Sequence, residues 1–129
     1  EAAAMLVVGN DWAKYHVEVG KIMTRELLGL GLISEEEVKN ENPDWPAYKK
    51  YFMHGTSHHI GLDTHDYGIL TEPMQAGMVF TVEPGIYIPA EKLGIRLEDD
   101  YVIQEKGAPF NLMANIPIEI DEIEALMKS

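Results

Sequence analysis

The chain has 129 residues, 46% of them hydrophobic and 25% charged, which suits one soluble domain with a hydrophobic core and is short for two. Ten basic against 22 acidic residues give a formal charge of −12, which argues against nucleic acid and against an anionic membrane surface. Cysteine is absent; that excludes disulfides, thiolate metal sites and cysteine nucleophiles, and fits a reducing, cytoplasmic setting.

No apolar run approaches the roughly 20 residues of a membrane-spanning helix. The start, Glu1 to Met5, has no basic segment of the signal-peptide kind and reads as a chain that begins in mid-helix. Between Asp11 and Leu30 the apolar residues Trp12, Tyr15, Val19, Ile22, Met23, Leu27 and Leu30 recur at three- and four-residue steps, which predicts an amphipathic helix. Asn10 or Asp11 supplies its N-cap, and Gly29 and Gly31 its stop. Ser34 and Glu37 form a capping box that starts a second helix. Two prolines in the run Asn42 to Pro46 then break it.

From Tyr51 the pattern turns to strands. Met78 to Ile88 is β-branched and aromatic, and Gly94 to Ile103 alternates polar and apolar residues. Pro89 to Leu93 is short enough to join them as a hairpin. Ile120, Ile123, Leu126 and Met127 predict a short amphipathic helix at the tail. Helices, then antiparallel strands, then a helix make an α+β fold.

Chemistry concentrates in three clusters. Four of the five histidines, His54, His58, His59 and His65, lie within 12 positions, and imidazole is the commonest neutral metal ligand; His16 stands apart and reads as an ordinary surface or hydrogen-bonded histidine. The second cluster is Thr81 to Tyr87, and the third is Gly94 to Asp100. Side chains alternate along a strand, so Glu83 shares a face with Thr81, and Arg96, Glu98 and Asp100 share another. A hairpin centred on Glu91 sets Glu83 and Glu98 opposite each other within one residue of register. Carboxylates so placed repel unless they share a proton, meet a cation such as Arg96, or chelate a metal. A metal with His58 as third ligand is the favoured reading, since mixed carboxylate and imidazole sites suit manganese, iron, cobalt or zinc. The His54-Gly-Thr-Ser-His58 run lacks the glutamate of the zincin motif. Ser57 beside two histidines suggests a serine hydrolase, but the Gly-x-Ser-x-Gly elbow is absent.

In order and spacing, His54-Gly-Thr-Ser-His58 with Gly61-Leu-Asp-Thr-His65-Asp66, Val82-Glu83-Pro-Gly-Ile-Tyr87 and Gly94-Ile-Arg96-Leu-Glu98-Asp99-Asp100 resemble the pita-bread metallopeptidases. That family contains methionine aminopeptidase, creatinase, prolidase and Xaa-Pro aminopeptidase (aminopeptidase P). The resemblance runs from about Gly9 to about Ile103 and is nearest to the Xaa-Pro aminopeptidases. It implies the C-terminal half of a pita-bread catalytic domain over residues 1–129, with helices packed on an antiparallel sheet, the upstream half and N-terminal domain being absent.

The resemblance also implies roles. His58, Glu83 and Glu98 are metal ligands, Glu98 bridging two divalent ions, manganese in first place with cobalt, iron or zinc as alternatives. Glu83 handles the proton of the nucleophilic water. His65 steadies the scissile carbonyl, His54 lines the proline-side subsite, and Arg96 and Tyr87 position carboxylates and substrate. The implied activity is hydrolysis of the N-terminal Xaa-Pro bond of proline-containing peptides; an Xaa-Pro dipeptidase or a non-catalytic peptide- or protein-binding module are the alternatives. The family's two further aspartate ligands, spaced Asp-x10-Asp, have no counterpart upstream of His54, where Asp11 has Ile22 at the partner position. Three of five ligands remain, so the chain alone is expected to hydrolyse nothing or very little. An apolar surface left exposed by the missing half should favour a homo-oligomer.

Overall fold

The computed structural model describes residues 1–128. Helix α1 spans Trp12–Gly29, and the Asp11 carboxylate caps it by accepting the Lys14 amide at 2.8 Å. Its buried stripe is Trp12, Tyr15, Val19, Met23 and Leu27, with Ile22 half-buried and Leu30 exposed. The helix ends at Gly29, and Gly31 follows at φ +70°, a left-handed turn that glycine adopts without cost. Helix α2 (Glu35–Lys39) carries the expected capping box between Ser34 and Glu37.

Both long strands are interrupted. In place of one strand over 78–88 stand β1 (Val79–Val82) and β2 (Gly85–Ile88); in place of one over 94–103 stand β3 (Leu93–Arg96) and β4 (Asp99–Val102). Pro84 has no N–H to give to a ladder, which explains the break. The pairing resumes beyond it without slipping. Val82 pairs with Asp99 on one side of the seam and Gly85 with Arg96 on the other. The 3₁₀ turn Pro89–Glu91 and Lys92, at φ +54°, close the hairpin. A further short strand, β5 (Phe110–Asn111), joins β4 to give a sheet of order β1-β4-β5, while β2 and β3 form a second sheet.

The segment 51–59 runs along the other edge of this split hairpin. Tyr87 N–H donates to the Tyr51 carbonyl at 2.9 Å, Glu83 N–H to Thr56 at 2.7 Å, and Thr81 N–H to His58 at 3.0 Å. The core lies between α1 and β1, where Trp12, Tyr15, Val19 and Met23 meet Phe52, Met74, Phe80, Val82 and Ile103. Each such side chain contributes about 1.5–3 kcal/mol on burial, enough to fix α1 against the strand that carries the site.

Helix α3 (Ile120–Met127) forms where the tail pattern predicts it, yet none of its residues is buried. The outer face of β2 and β3 is also apolar and open. With Met23, Leu30 and Leu32 it lines a groove of about 490 Å³ whose walls include Ile86, Ile95 and Leu97. Among the described residues no helix is long and apolar enough to cross a membrane.

Candidate metal centre

The seam in the hairpin is where the two glutamates stand. Neither Glu83 nor Glu98 belongs to a ladder, and the ladders on both sides hold them opposite each other. The adjoining histidine segment brings in His58, whose Nε2 lies 3.2 Å from Glu83 Oε1. One ligand atom from each of His58, Glu83 and Glu98 falls within 4.8 Å of the other two. His58 and Glu83 are mostly enclosed, at 20% and 13% side-chain exposure, and Glu98 opens to solvent at 39%.

The donor set fits a divalent cation. His58 Nδ1 is 2.8 Å from the His59 carbonyl, which can only accept, so Nδ1 carries a ring proton. In the neutral ring the Nε2 lone pair then faces a Glu83 oxygen, and two acceptors at that distance require a cation or a proton between them. Arg96 meets part of this need: its Nε is 3.7 Å from Glu83 Oε2 and 3.8 Å from Glu98 Oε2. It faces the far side of Glu83 and leaves Oε1 to His58.

The remaining sequence-predicted residues surround this group. His54 Nδ1 donates to the Gly55 carbonyl at 2.7 Å, so its Nε2 accepts the Tyr87 hydroxyl proton at 2.9 Å. The Tyr87 oxygen is thereby turned to accept from elsewhere. Tyr87, followed by the carboxylates of Glu83 and Glu98, holds the Arg96 guanidinium above its already high pKa. A continuous polar line thus links His54, Tyr87, Arg96 and the two glutamates. The His65 ring stands edge-on to His58 with centroids 4.3 Å apart.

Three residues named from the sequence turn out to have supporting roles that it did not assign them. Thr81, fully buried, accepts the His58 amide on its hydroxyl at 3.1 Å while its own amide donates back to His58. Ser57 is no nucleophile; it is buried against the Tyr15 hydroxyl of α1, 2.7 Å away. Asp66 accepts the Leu62 and Tyr67 amides at 2.9 and 2.7 Å. Those amides, Tyr67 first, keep its carboxyl below the usual range and fold the loop that carries His65. His59 turns away from the centre to pack at a tilt against Phe80, and a Cβ on Gly68 would run into its ring. Of those roles only the threonine's left a trace, as a polar residue on the Glu83 face of a strand.

Residues 1–105 match metallopeptidase family M24. The Xaa-Pro aminopeptidase of Escherichia coli (strain K12) is 41% identical over 124 residues, which take in 85% of this chain and 27% of that protein. Xaa-Pro aminopeptidase 3 of Homo sapiens is 36% identical over 137 residues, 98% of this chain and 26% of that one. The structure of zinc-substituted E. coli aminopeptidase P in complex with product superposes with a TM-score of 0.81 at 37% identity, covering 98% of this chain and 31% of that chain. The chain therefore spans between a quarter and a third of the length of these relatives.

Proposed function

The chain belongs to metallopeptidase family M24, and from that premise we propose that the whole protein removes the N-terminal residue from peptides with proline in second place, in the cytoplasm and with manganese. The observation that carries this reading is the convergence of His58, Glu83 and Glu98 within 4.8 Å. Bound there, a divalent ion supplies Lewis acidity towards a peptide carbonyl and a water molecule. The reading takes two further aspartate ligands from outside residues 1–129.

The chain's own residues have the following parts. Glu83 accepts the proton of the attacking water and passes it to the departing proline nitrogen. His65, at the mouth of the centre, donates a hydrogen bond to the scissile carbonyl as negative charge grows on its oxygen. His54 and Tyr87 form the wall against which the proline ring rests, their mutual hydrogen bond keeping both rings still. Arg96 balances the two carboxylates. A bond preceding proline is a tertiary amide without an N–H, so recognition falls to the ring and the carbonyl.

Calorimetric titration of this chain with manganese, beside Glu83→Ala, tests the ligand assignment. The substitution is expected to weaken binding at least tenfold. Hydrolysis of a peptide with proline second, by the whole protein and its Glu83→Ala variant, tests the activity, with an expected loss on the order of 100-fold or more. Unchanged binding and turnover in the variant would end the reading.

A further inference from the structure

Behind the metal centre lies a contact that the proposed chemistry does not use. The Tyr15 and Ser57 hydroxyls, 2.7 Å apart and 42 positions apart in sequence, make a hydrogen bond between two buried side chains. Tyr15 has no exposed surface and Ser57 only 6%. The Tyr15 ring packs against both Trp12 and His16, with centroids 5.7 and 5.8 Å away, so α1 dictates where its hydroxyl sits. Burial pushes the phenol pKa up to about 12, so the hydroxyl stays neutral and the contact persists throughout the working pH range.

Ser57 occupies a sensitive place. Residues 56 and 58, on either side of it, are hydrogen-bonded to Glu83, just past the end of β1, and to Thr81 within it, through both amides and the Thr81 hydroxyl. Those bonds fix the distance of the segment from the strand. Lying along one edge, they oppose a roll about the segment's own axis least, and such a roll would swing His58 towards or away from Glu83. Side chains alternate on extended backbone, so Ser57 projects to the side opposite His58. A tether on Ser57 from below therefore sets the angle at which His58 is presented above.

We propose that Tyr15 is a positioning residue for His58, acting through the Ser57 hydroxyl to hold the imidazole Nε2 against Glu83. The inference rests on the reading of His58, Glu83 and Glu98 as metal ligands, but its test does not depend on metal alone. Tyr15→Phe keeps the ring and its packing and removes the hydroxyl. Three quantities are compared: the ring nitrogen resonances of His58 in the metal-free chain, the affinity for manganese, and the melting midpoint.

Tyr15→Phe is expected to shift and broaden the His58 ring resonances and to weaken manganese binding about tenfold, as losses of outer-shell partners commonly do. Tyr15→Phe/Ser57→Ala should lose no more affinity than either single variant, because one contact is being removed. Should Tyr15→Phe not fold, Ser57→Ala provides the same comparison. A lower melting midpoint with unchanged His58 resonances and unchanged affinity would make the pair a packing contact and overturn the proposal. If the parent chain binds no manganese, the ion needs the two aspartates from outside residues 1–129, and the ring resonances alone decide the positioning role.

Discussion

Thr81→Val is the sharpest test of how the hairpin holds the histidine segment. Valine has nearly the same shape, and the site is completely enclosed, so the substitution deletes one acceptor and little else. The His58 amide, which donates to that hydroxyl at 3.1 Å, is left without a partner. An unsatisfied buried amide costs about 1–3 kcal/mol, offset in part because the variant no longer buries a hydroxyl, for a net loss of about 1–2 kcal/mol. In a domain of this size that lowers the melting midpoint by roughly 3–12 °C. Hydrogen exchange gives the local readout. The His58 amide should exchange faster, while the Thr81 amide, whose bond to the His58 carbonyl is untouched, stays protected. A variant that melts with the parent and still protects the His58 amide would show that the threonine hydroxyl does not anchor the segment.

Other perturbations separate the remaining elements. Arg96 contacts both carboxylates at 3.7–3.8 Å and is half-exposed, so Arg96→Met should move the melting midpoint little, and less as salt rises; a large, salt-independent loss would mean the pair is far better shielded than this geometry allows. Burial holds the His16 and His59 imidazoles below their ordinary value of 6.5. The unfolded chain then takes up their protons first, and their contribution, full above pH 6.5, is lost as the pH falls below it. His16→Gln should accordingly show a shallower fall in melting midpoint than the parent between neutral and mildly acidic pH, and an equal slope would remove His16 from the account. The isolated chain should self-associate through the open apolar face of β2 and β3, and Ile95→Glu should return it to monomer in sedimentation velocity. A parent chain that stays monomeric when concentrated would show that the exposed groove is not adhesive.

Much of this arrangement is local in origin and could be read from residue order. The 3.6-residue apolar period gives α1, the Ser34 and Glu37 pair gives the start of α2, and strand alternation with a short turn sets Glu83 against Glu98. The expected convergence of His58 on both glutamates is found. Periodicity overran the strands because it does not register a missing N–H: Pro84 interrupts a run that otherwise alternates well. It also missed β5, where two residues are too few to carry a pattern. Leu30 shows a further limit, since a periodic position marks a face of the helix without saying whether anything covers it. The Tyr15 and Ser57 contact was out of reach for another reason. Its partners are 42 residues apart, and only the packing of α1 on β1 brings them together.

The seam between the two ladders has a consequence for how such a chain can vary in length. Two independent sets of pairs, one ending at Val82 and Asp99 and the other beginning at Gly85 and Arg96, both maintain the opposition of the glutamates. An extra or missing residue in the turn near Lys92 can be absorbed by the outer pair of strands, because β1 and β4 still hold the register. The same change between Val82 and Gly85, or between Arg96 and Asp99, falls inside both clamps and turns one carboxylate to the opposite face. The tip of the hairpin is thus free to lengthen or shorten, while a four-residue window on its two arms admits no insertion at all.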